Sequence, residues 1–209
     1  MEKETGNIKI EMKTLYRLKE PLSTSVREDL YRKARIPKLL IMFNPEDSKN
    51  KAWNAQFIMI AEKILSKNGC LIVITGERGC GKSQMAAALM RVAIENNILS
   101  YYRKTMDFFM SIKETYKTDA TEREVIRDYQ APGLLVMDEI QVRGESEWEN
   151  NLLTHLVDLR YDDQKSTILI GNVPIDKVRA QIGDSIYSRM IETGGTINCD
   201  WKSFRAKGQ

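Results

Sequence analysis

From Asn50 onward the apolar positions fall into register: Trp53, Phe57, Ile60 and Ile64 recur three or four residues apart, and Asn68-Gly69 supplies a stop. That spacing predicts an amphipathic helix entering a core. The next run, Cys70 to Thr75, is short, β-branched and closed by glycine, as expected of a strand buried on both faces. A helix is predicted over Lys82 to Glu95, with Met85, Leu89 and Val92 on one stripe, followed by a strand over Ile98 to Tyr102. Two helices follow. The first carries Phe108, Phe109 and Ile112; the second opens on Thr121 to Glu124, where Thr and Glu satisfy each other's end of the first turn. Leu134 to Asp138 reads as the third strand, and Ser146 to Glu149 as a second capping box launching a helix whose Leu152, Leu156 and Leu159 face the core. A strand over Thr167 to Gly171, helical segments near Ile175 to Ala180 and Asp184 to Ile191, and a last strand over Thr196 to Cys199 complete the pattern. Strands alternating with helices predict an α/β fold built on a parallel sheet.

Upstream of residue 46 this regularity is missing. Pro21, Pro37 and Pro45 interrupt a mixture of charged and scattered apolar positions, so residues 1–45 are expected to form an N-terminal extension with one short helix near Ser25 to Ala34, a segment that could dock a partner. Residues 46–209 are expected to form the main domain. The whole chain of 209 residues is 42% hydrophobic and 29% charged with 12 Gly and 5 Pro, which excludes disordered and collagen-like classes. Its longest apolar runs, such as Cys70 to Ile74, fall far short of the roughly 18 residues a membrane span requires. The charged start MEKETGNIKIEMK has no apolar segment of the secretory kind, so the expected location is cytoplasmic, with no membrane partner. Cys70, Cys80 and Cys199 have no CxxC spacing and are expected to be reduced thiols. A net charge of +3 from 32 basic and 29 acidic residues is too balanced to imply polyanion binding without local evidence.

Local evidence for a nucleotide is strong. Gly76-Glu77-Arg78-Gly79-Cys80-Gly81-Lys82-Ser83 fits G-x-x-x-x-G-K-[ST] and lies between the first predicted strand and the helix it feeds. Glycines let successive backbone N–H groups curl around a phosphate, and the helix N-terminus adds its positive dipole end. Lys82 is expected to bridge the β- and γ-phosphates of ATP, Ser83 to ligate Mg²⁺, and Gln84 to close the loop. Cys80 is read as a small loop-filling residue, with oxidation that blocks the loop as the other reading.

The run Leu134 to Ile140 ends its apolar stretch on Asp138 and Glu139. Ligands gather at the carboxyl ends of parallel strands, so Asp138 is expected in the Mg²⁺ shell and Glu139 beside the attacking water. An adjacent carboxylate at that place favours hydrolysis over transfer to a small acceptor.

Residues 138–174 and 188–205, with the phosphate loop, resemble the DnaC/IstB-like branch of AAA+ ATPases, which includes replicative-helicase loaders and ATP-binding subunits of transposition systems. The resemblance implies a five-stranded parallel sheet of order 5-1-4-3-2 without a separate helical lid domain. It implies nucleotide held between identical subunits in a ring or filament, and single-stranded DNA handled by the assembly. Position by position, Asn172 matches a polar residue that positions the water, Arg189 an arginine finger reaching the neighbouring subunit's γ-phosphate, and Arg205 a second arginine sensor acting in cis or in trans. Asn172 also reads as a turn former before Val173-Pro174. Trp148 falls where the family places an aromatic, suited to stacking on an unpaired base or to an apolar contact. Between the second and third strands, Lys113 and Lys117 interleave with Phe108, a pattern suited either to a DNA groove or to wet helix faces. Gln141 and Gly171 depart from the family's commoner glycine and serine or threonine. The implied function is an ATP-dependent loader that delivers or opens a replicative DNA helicase in a bacterium, phage or mobile element. The alternatives are a transposition ATPase acting on duplex DNA with a transposase and a low-turnover nucleotide-switched adaptor.

Overall fold

In a computed structural model of the protein, residues 23–142 and 146–204 are described. Five parallel strands form one sheet: β1 (Leu71–Gly76), β2 (Ser100–Lys104), β3 (Leu134–Asp138), β4 (Ser166–Ile170) and β5 (Gly195–Cys199). Their order is β2-β3-β4-β1-β5, the expected 5-1-4-3-2 order read from the other edge. The helices are α1 (Thr24–Lys33), α2 (Lys38–Ile41), α3 (Lys51–Leu65), α4 (Lys82–Glu95), α5 (Thr105–Thr115), α6 (Glu122–Gln130), α7 (Glu147–Asp162), α8 (Val178–Ile182) and α9 (Asp184–Thr193).

Period-2 alternation along the strands divides the core between the two faces of the sheet. Ile72, Ile74, Leu134 and Val136 join Trp53, Phe57, Ile60 and Ile64 of α3 and Met85 and Leu89 of α4. Leu71, Val73, Leu135 and Met137 join Phe108, Phe109 and Ile112 of α5 and the inner face of α7. Strands that feed both clusters have no polar face, which is why Cys70 to Thr75 reads as a continuous apolar run. Thr121 and Glu124 form the expected reciprocal cap of α6, while Ser146 caps α7 by accepting from the Glu149 N–H.

Strand β2 and helix α7 differ from expectation in their register, and α2 is a second helix where one was expected. Strand β2 begins at Ser100 and extends to Lys104, with Leu99 half exposed, which carries two further residues toward the carboxyl edge of the sheet. On α7 the buried stripe is Leu153, Leu156, Val157 and Arg160, whereas Leu152 and Leu159 are only partly covered. The helix is therefore rotated by about one residue, and the rotation brings Arg160 inside. Its guanidinium donates to the carbonyls of Tyr129, Gln130, Pro132 and Ser166 and to Thr167 Oγ1, binding the α6–β3 connection to β4.

From Ser23 onward the segment expected as an extension shares the core of the sheet's helices: Tyr31, Ala34 and Ile36 are buried with α3 and α4. The Tyr31 hydroxyl donates to Glu95, and the Tyr102 N–H of edge strand β2 donates to the Ala34 carbonyl at 2.8 Å. After β5 the chain turns back on the loop between β1 and α4, where the Phe204 N–H donates to Gly79 O at 2.9 Å and Trp201 Nε1 to Cys80 O at 2.7 Å. Among the described residues no helical domain follows β5, and no helix is long and apolar enough to cross a membrane.

Candidate functional site

The carboxyl ends of β3, β4 and β1, three neighbours in the sheet, converge on one cavity of about 560 Å³. It is lined by Leu40, Arg78, Gly79, Gly81, Lys82, Ser83, Gln84, Asp138, Glu139, Gln141, Val142, Gly171, Asn172 and Phe204. One wall is the loop between β1 and α4. Gly81 closes that loop at φ 87°, a backbone region L-residues avoid, and a Cβ there would lie 2.7 Å from the Phe204 ring. Gly76 is similarly confined, since a Cβ would lie 2.5 Å from the Cys199 carbonyl on neighbouring β5. Lys82, buried at the first turn of α4, donates to the carbonyls of Gly76 at 2.9 Å and Glu77 at 2.6 Å. Cys80 is buried behind the loop, its thiol donating to Glu77 O. A hydrogen bond with Cys199, assisted by the nearby Lys82 ammonium, holds that thiol below its ordinary range and pushes Cys199 above it.

The opposite wall is built on Asp138. Its Oδ2 accepts from Ser83 Oγ at 2.9 Å and from the Tyr102 hydroxyl, and its Oδ1 accepts from the Glu139 N–H at 2.7 Å. Burial, with the adjacent Asp138 charge second, raises the pKa of Tyr102 and keeps it a neutral donor. Glu139 turns the chain at φ 62°, and its carboxylate lies 3.1 Å from the Lys104 ammonium at the end of β2. Gln141 Oε1 accepts from the Asn172 N–H at 3.1 Å, tying the end of β4 to the segment after β3.

The donor set suits a magnesium nucleotide. Backbone N–H groups at the start of α4 and the Lys82 ammonium match phosphate oxygens, and Ser83 and Asp138 offer the oxygen ligands a hard divalent cation prefers. The structure thus brings Arg78, Gly79, Gly81, Lys82, Ser83, Gln84, Asp138, Glu139 and Asn172 to one cavity. Gly76 and Glu77 border a neighbouring cavity of about 420 Å³ with Asn172, Cys199 and Trp201.

Arg189 lies elsewhere. On α9 it is held by Asp158 at 3.2 Å, by Ser185 Oγ and over the Tyr161 ring, and it is not among the residues lining the cavity. Arg205 lies outside the described residues. Of the residues expected to meet DNA, Lys113 and Lys117 are exposed on and just beyond α5. Trp148 is partly covered, 6.0 Å from the Phe109 ring, with the Lys113 ammonium 5.2 Å above it. Phe108 must be withdrawn from that set. It is fully buried, 4.8 Å from the Tyr129 ring, because α5 turns its aromatic stripe onto the sheet and leaves no face for a base.

Tyr102, Gln141, Leu40 and Phe204 were missed as site residues. Tyr102 carried one legible signal: it lies near the carboxyl end of a predicted parallel strand, the edge where ligands collect. Gln141 follows Glu139 by two residues, while Leu40 and Phe204 come to the cavity from outside the strand-loop-helix unit, where no local pattern announces them.

Comparison with known proteins agrees with this geometry. The model of the family described as IstB-like ATP binding protein matches residues 59–208. The replicative helicase loader DnaC of Escherichia coli K12 is 25% identical over 137 residues, 65% of this chain and 56% of that protein. DnaC of Buchnera aphidicola subsp. Baizongia pistaciae is 26% identical over 145 residues, 68% of this chain and 59% of its own length. The matched region thus spans less than two thirds of these relatives. Among solved structures, the DnaC helicase loader superposes with a TM-score of 0.62 at 19% identity, covering 76% of this chain and 94% of that one. The replication initiator DnaA bound to AMPPCP and single-stranded DNA gives 0.65 at 21% identity, covering 77% and 50%. These likenesses establish the AAA+ fold.

Proposed function

Because the chain belongs to the family of IstB-like ATP binding proteins, we propose that it is an ATPase of helicase-loader type. It binds ATP with Mg²⁺ in the cavity at the ends of β1, β3 and β4, assembles with copies of itself, grips single-stranded DNA and delivers or opens a replicative DNA helicase. The observation that carries the reading is the 2.9 Å bond joining Ser83 of the loop to Asp138 of β3, which completes a cradle between two walls 55 residues apart in sequence.

Lys82 exchanges loop carbonyls for phosphate oxygens, while the N–H groups around Gly79 to Gln84 orient the chain of phosphates. Ser83 and Asp138 would hold Mg²⁺, which would supply positive charge against the phosphates and the leaving group. Glu139 holds the attacking water and takes its proton at the carboxylate, and Asn172 steadies that water from the adjacent strand end. Arg189, remote from its own cavity, is available to a neighbour's, so assembly supplies positive charge at the phosphate being cleaved. Arg205 serves the same site. Lys113, Lys117 and Trp148 line the DNA path by phosphate attraction and base stacking.

The names of the relatives favour a helicase over a transposase as partner, and the carboxylate beside Asp138 favours turnover over a silent adaptor. Three measurements test this: steady-state hydrolysis with and without single-stranded and duplex DNA, size analysis with ATP, and capture of helicase or transposase from native cells. No hydrolysis under any condition would leave the adaptor. Preference for duplex DNA with transposase capture would select the transposition ATPase.

A further inference from the structure

Tyr102 belongs to no part of the nucleotide signature, yet it touches the centre of the site. It is the third residue of β2, an edge strand, with 7% of its surface exposed, and its ring packs in the apolar layer beneath α4. Its hydroxyl donates to Asp138 Oδ2, the same oxygen that accepts from Ser83. The backbone of Tyr102 is pinned on both sides, by parallel register with Val136 of β3 and by the bond from its N–H to Ala34 O.

These constraints differ in kind from the one Ser83 supplies. A serine hydroxyl rotates freely and can follow the carboxylate, so one such bond does not fix the plane of Asp138. A phenol on a paired strand is a donor with a set position. With Oδ1 held by the Glu139 N–H and Oδ2 by Tyr102, neither oxygen is left to turn, and Ser83 Oγ keeps its lone pairs for another partner. Hydrogen bonds of this sort behind the groups that receive a metal typically change its affinity 10- to 100-fold.

We propose that Tyr102 is a positioning residue of the Mg²⁺ site: its hydroxyl locks the Asp138 carboxylate in the orientation in which Asp138 and Ser83 together receive the cation. This inference rests on the nucleotide-site reading above and deepens it. A residue that merely satisfies its own buried hydroxyl would affect folding and leave metal affinity alone.

The test uses the full chain and Tyr102→Phe, which keeps the ring. Binding of a fluorescent ATP analogue is titrated in EDTA and then at stepped Mg²⁺, and Mn²⁺ binding is followed by electron paramagnetic resonance with nucleotide present. Expected is unchanged affinity in EDTA, within about twofold, with the half-saturating Mg²⁺ concentration raised about 10- to 100-fold and Mn²⁺ binding weakened in parallel. An unchanged half-saturation, or equal loss of nucleotide with and without the metal, overturns the proposal. As a second variant, Asp138→Asn is combined with Tyr102→Phe. The double variant should need no more Mg²⁺ than Asp138→Asn alone, and additive losses would show that Tyr102 acts elsewhere. A wild-type chain that binds no nucleotide would overturn the site reading itself, a result distinct from either outcome for Tyr102.

Discussion

The Lys104 ammonium lies 3.1 Å from the Glu139 carboxylate, joining the last residue of the second strand to the residue after the third. Lys104 thereby competes with water for the group expected to act as base. Both side chains are substantially exposed, at 58% and 44%, so the pair contributes no more than about 1 kcal/mol and is screened by salt. Lys104→Met is expected to raise basal ATP hydrolysis at low ionic strength by up to about fivefold. The difference should fade above about 0.5 M salt, where the Debye length falls to a few ångströms. Turnover equal to or below wild type at low salt would show that the contact does not restrain Glu139.

Lys82 is buried and donates to two loop carbonyls as well as facing the cavity. Lys82→Ala should abolish nucleotide binding, seen as at least a roughly 100-fold loss in an equilibrium titration, the scale of two charge-assisted hydrogen bonds. Normal affinity would remove the phosphate-binding role.

Gly81→Ala meets two obstacles, a φ of 87° and the Phe204 ring 2.7 Å from the added carbon. The backbone term alone is about 1–2 kcal/mol. Nucleotide affinity should fall in Gly81→Ala and recover in part when Phe204→Ala opens the space, the remainder reporting the backbone. Full recovery would assign the whole effect to the ring.

Arg160 is fully buried, and all five of its hydrogen bonds run to oxygen acceptors, which the charged guanidinium satisfies although burial lowers its pKa. Arg160→Met fills similar space but strips partners from four carbonyls. A loss of about 3–5 kcal/mol is expected, or roughly 6–20 °C in Tm, with nucleotide affinity below the transition unchanged. A melting temperature within about 2 °C of wild type would contradict the bracing role.

Arg189 is held by Asp158 of its own chain at 3.2 Å and lies apart from its own cavity. Mixing Arg189→Ala with Glu139→Gln subunits should restore part of the hydrolysis that each lacks alone, because a mixed seam can pair an intact arginine with an intact glutamate. Failure at every mixing ratio would count against action between subunits.

Much of the fold was legible because it rests on short-range physics. A glycine-rich turn between a β-branched run and an amphipathic helix has few other solutions, and that unit holds the loop from Gly76 to Lys82 where it was expected. The rotation of α7 was not legible. Leu152, Leu153, Leu156, Val157 and Leu159 all suit a buried stripe, and only the carbonyls of the α6–β3 connection, which Arg160 gathers, select among the registers. Phe108 misled for a related reason: an aromatic among lysines looks the same whether it faces solvent or the sheet.

By itself the sequence determined the glycine-rich nucleotide signature and the alternation of strands and helices, since both are written in neighbouring residues and their spacing. The tertiary structure alone decided that Ser83 and Tyr102 donate to one oxygen of Asp138, that Gln141 reaches Asn172, and that Arg189 stands away from its own cavity. Those relations depend on which strands lie side by side and in what register. That choice is made by the burial of apolar surface over the whole sheet, and no short stretch of chain contains it.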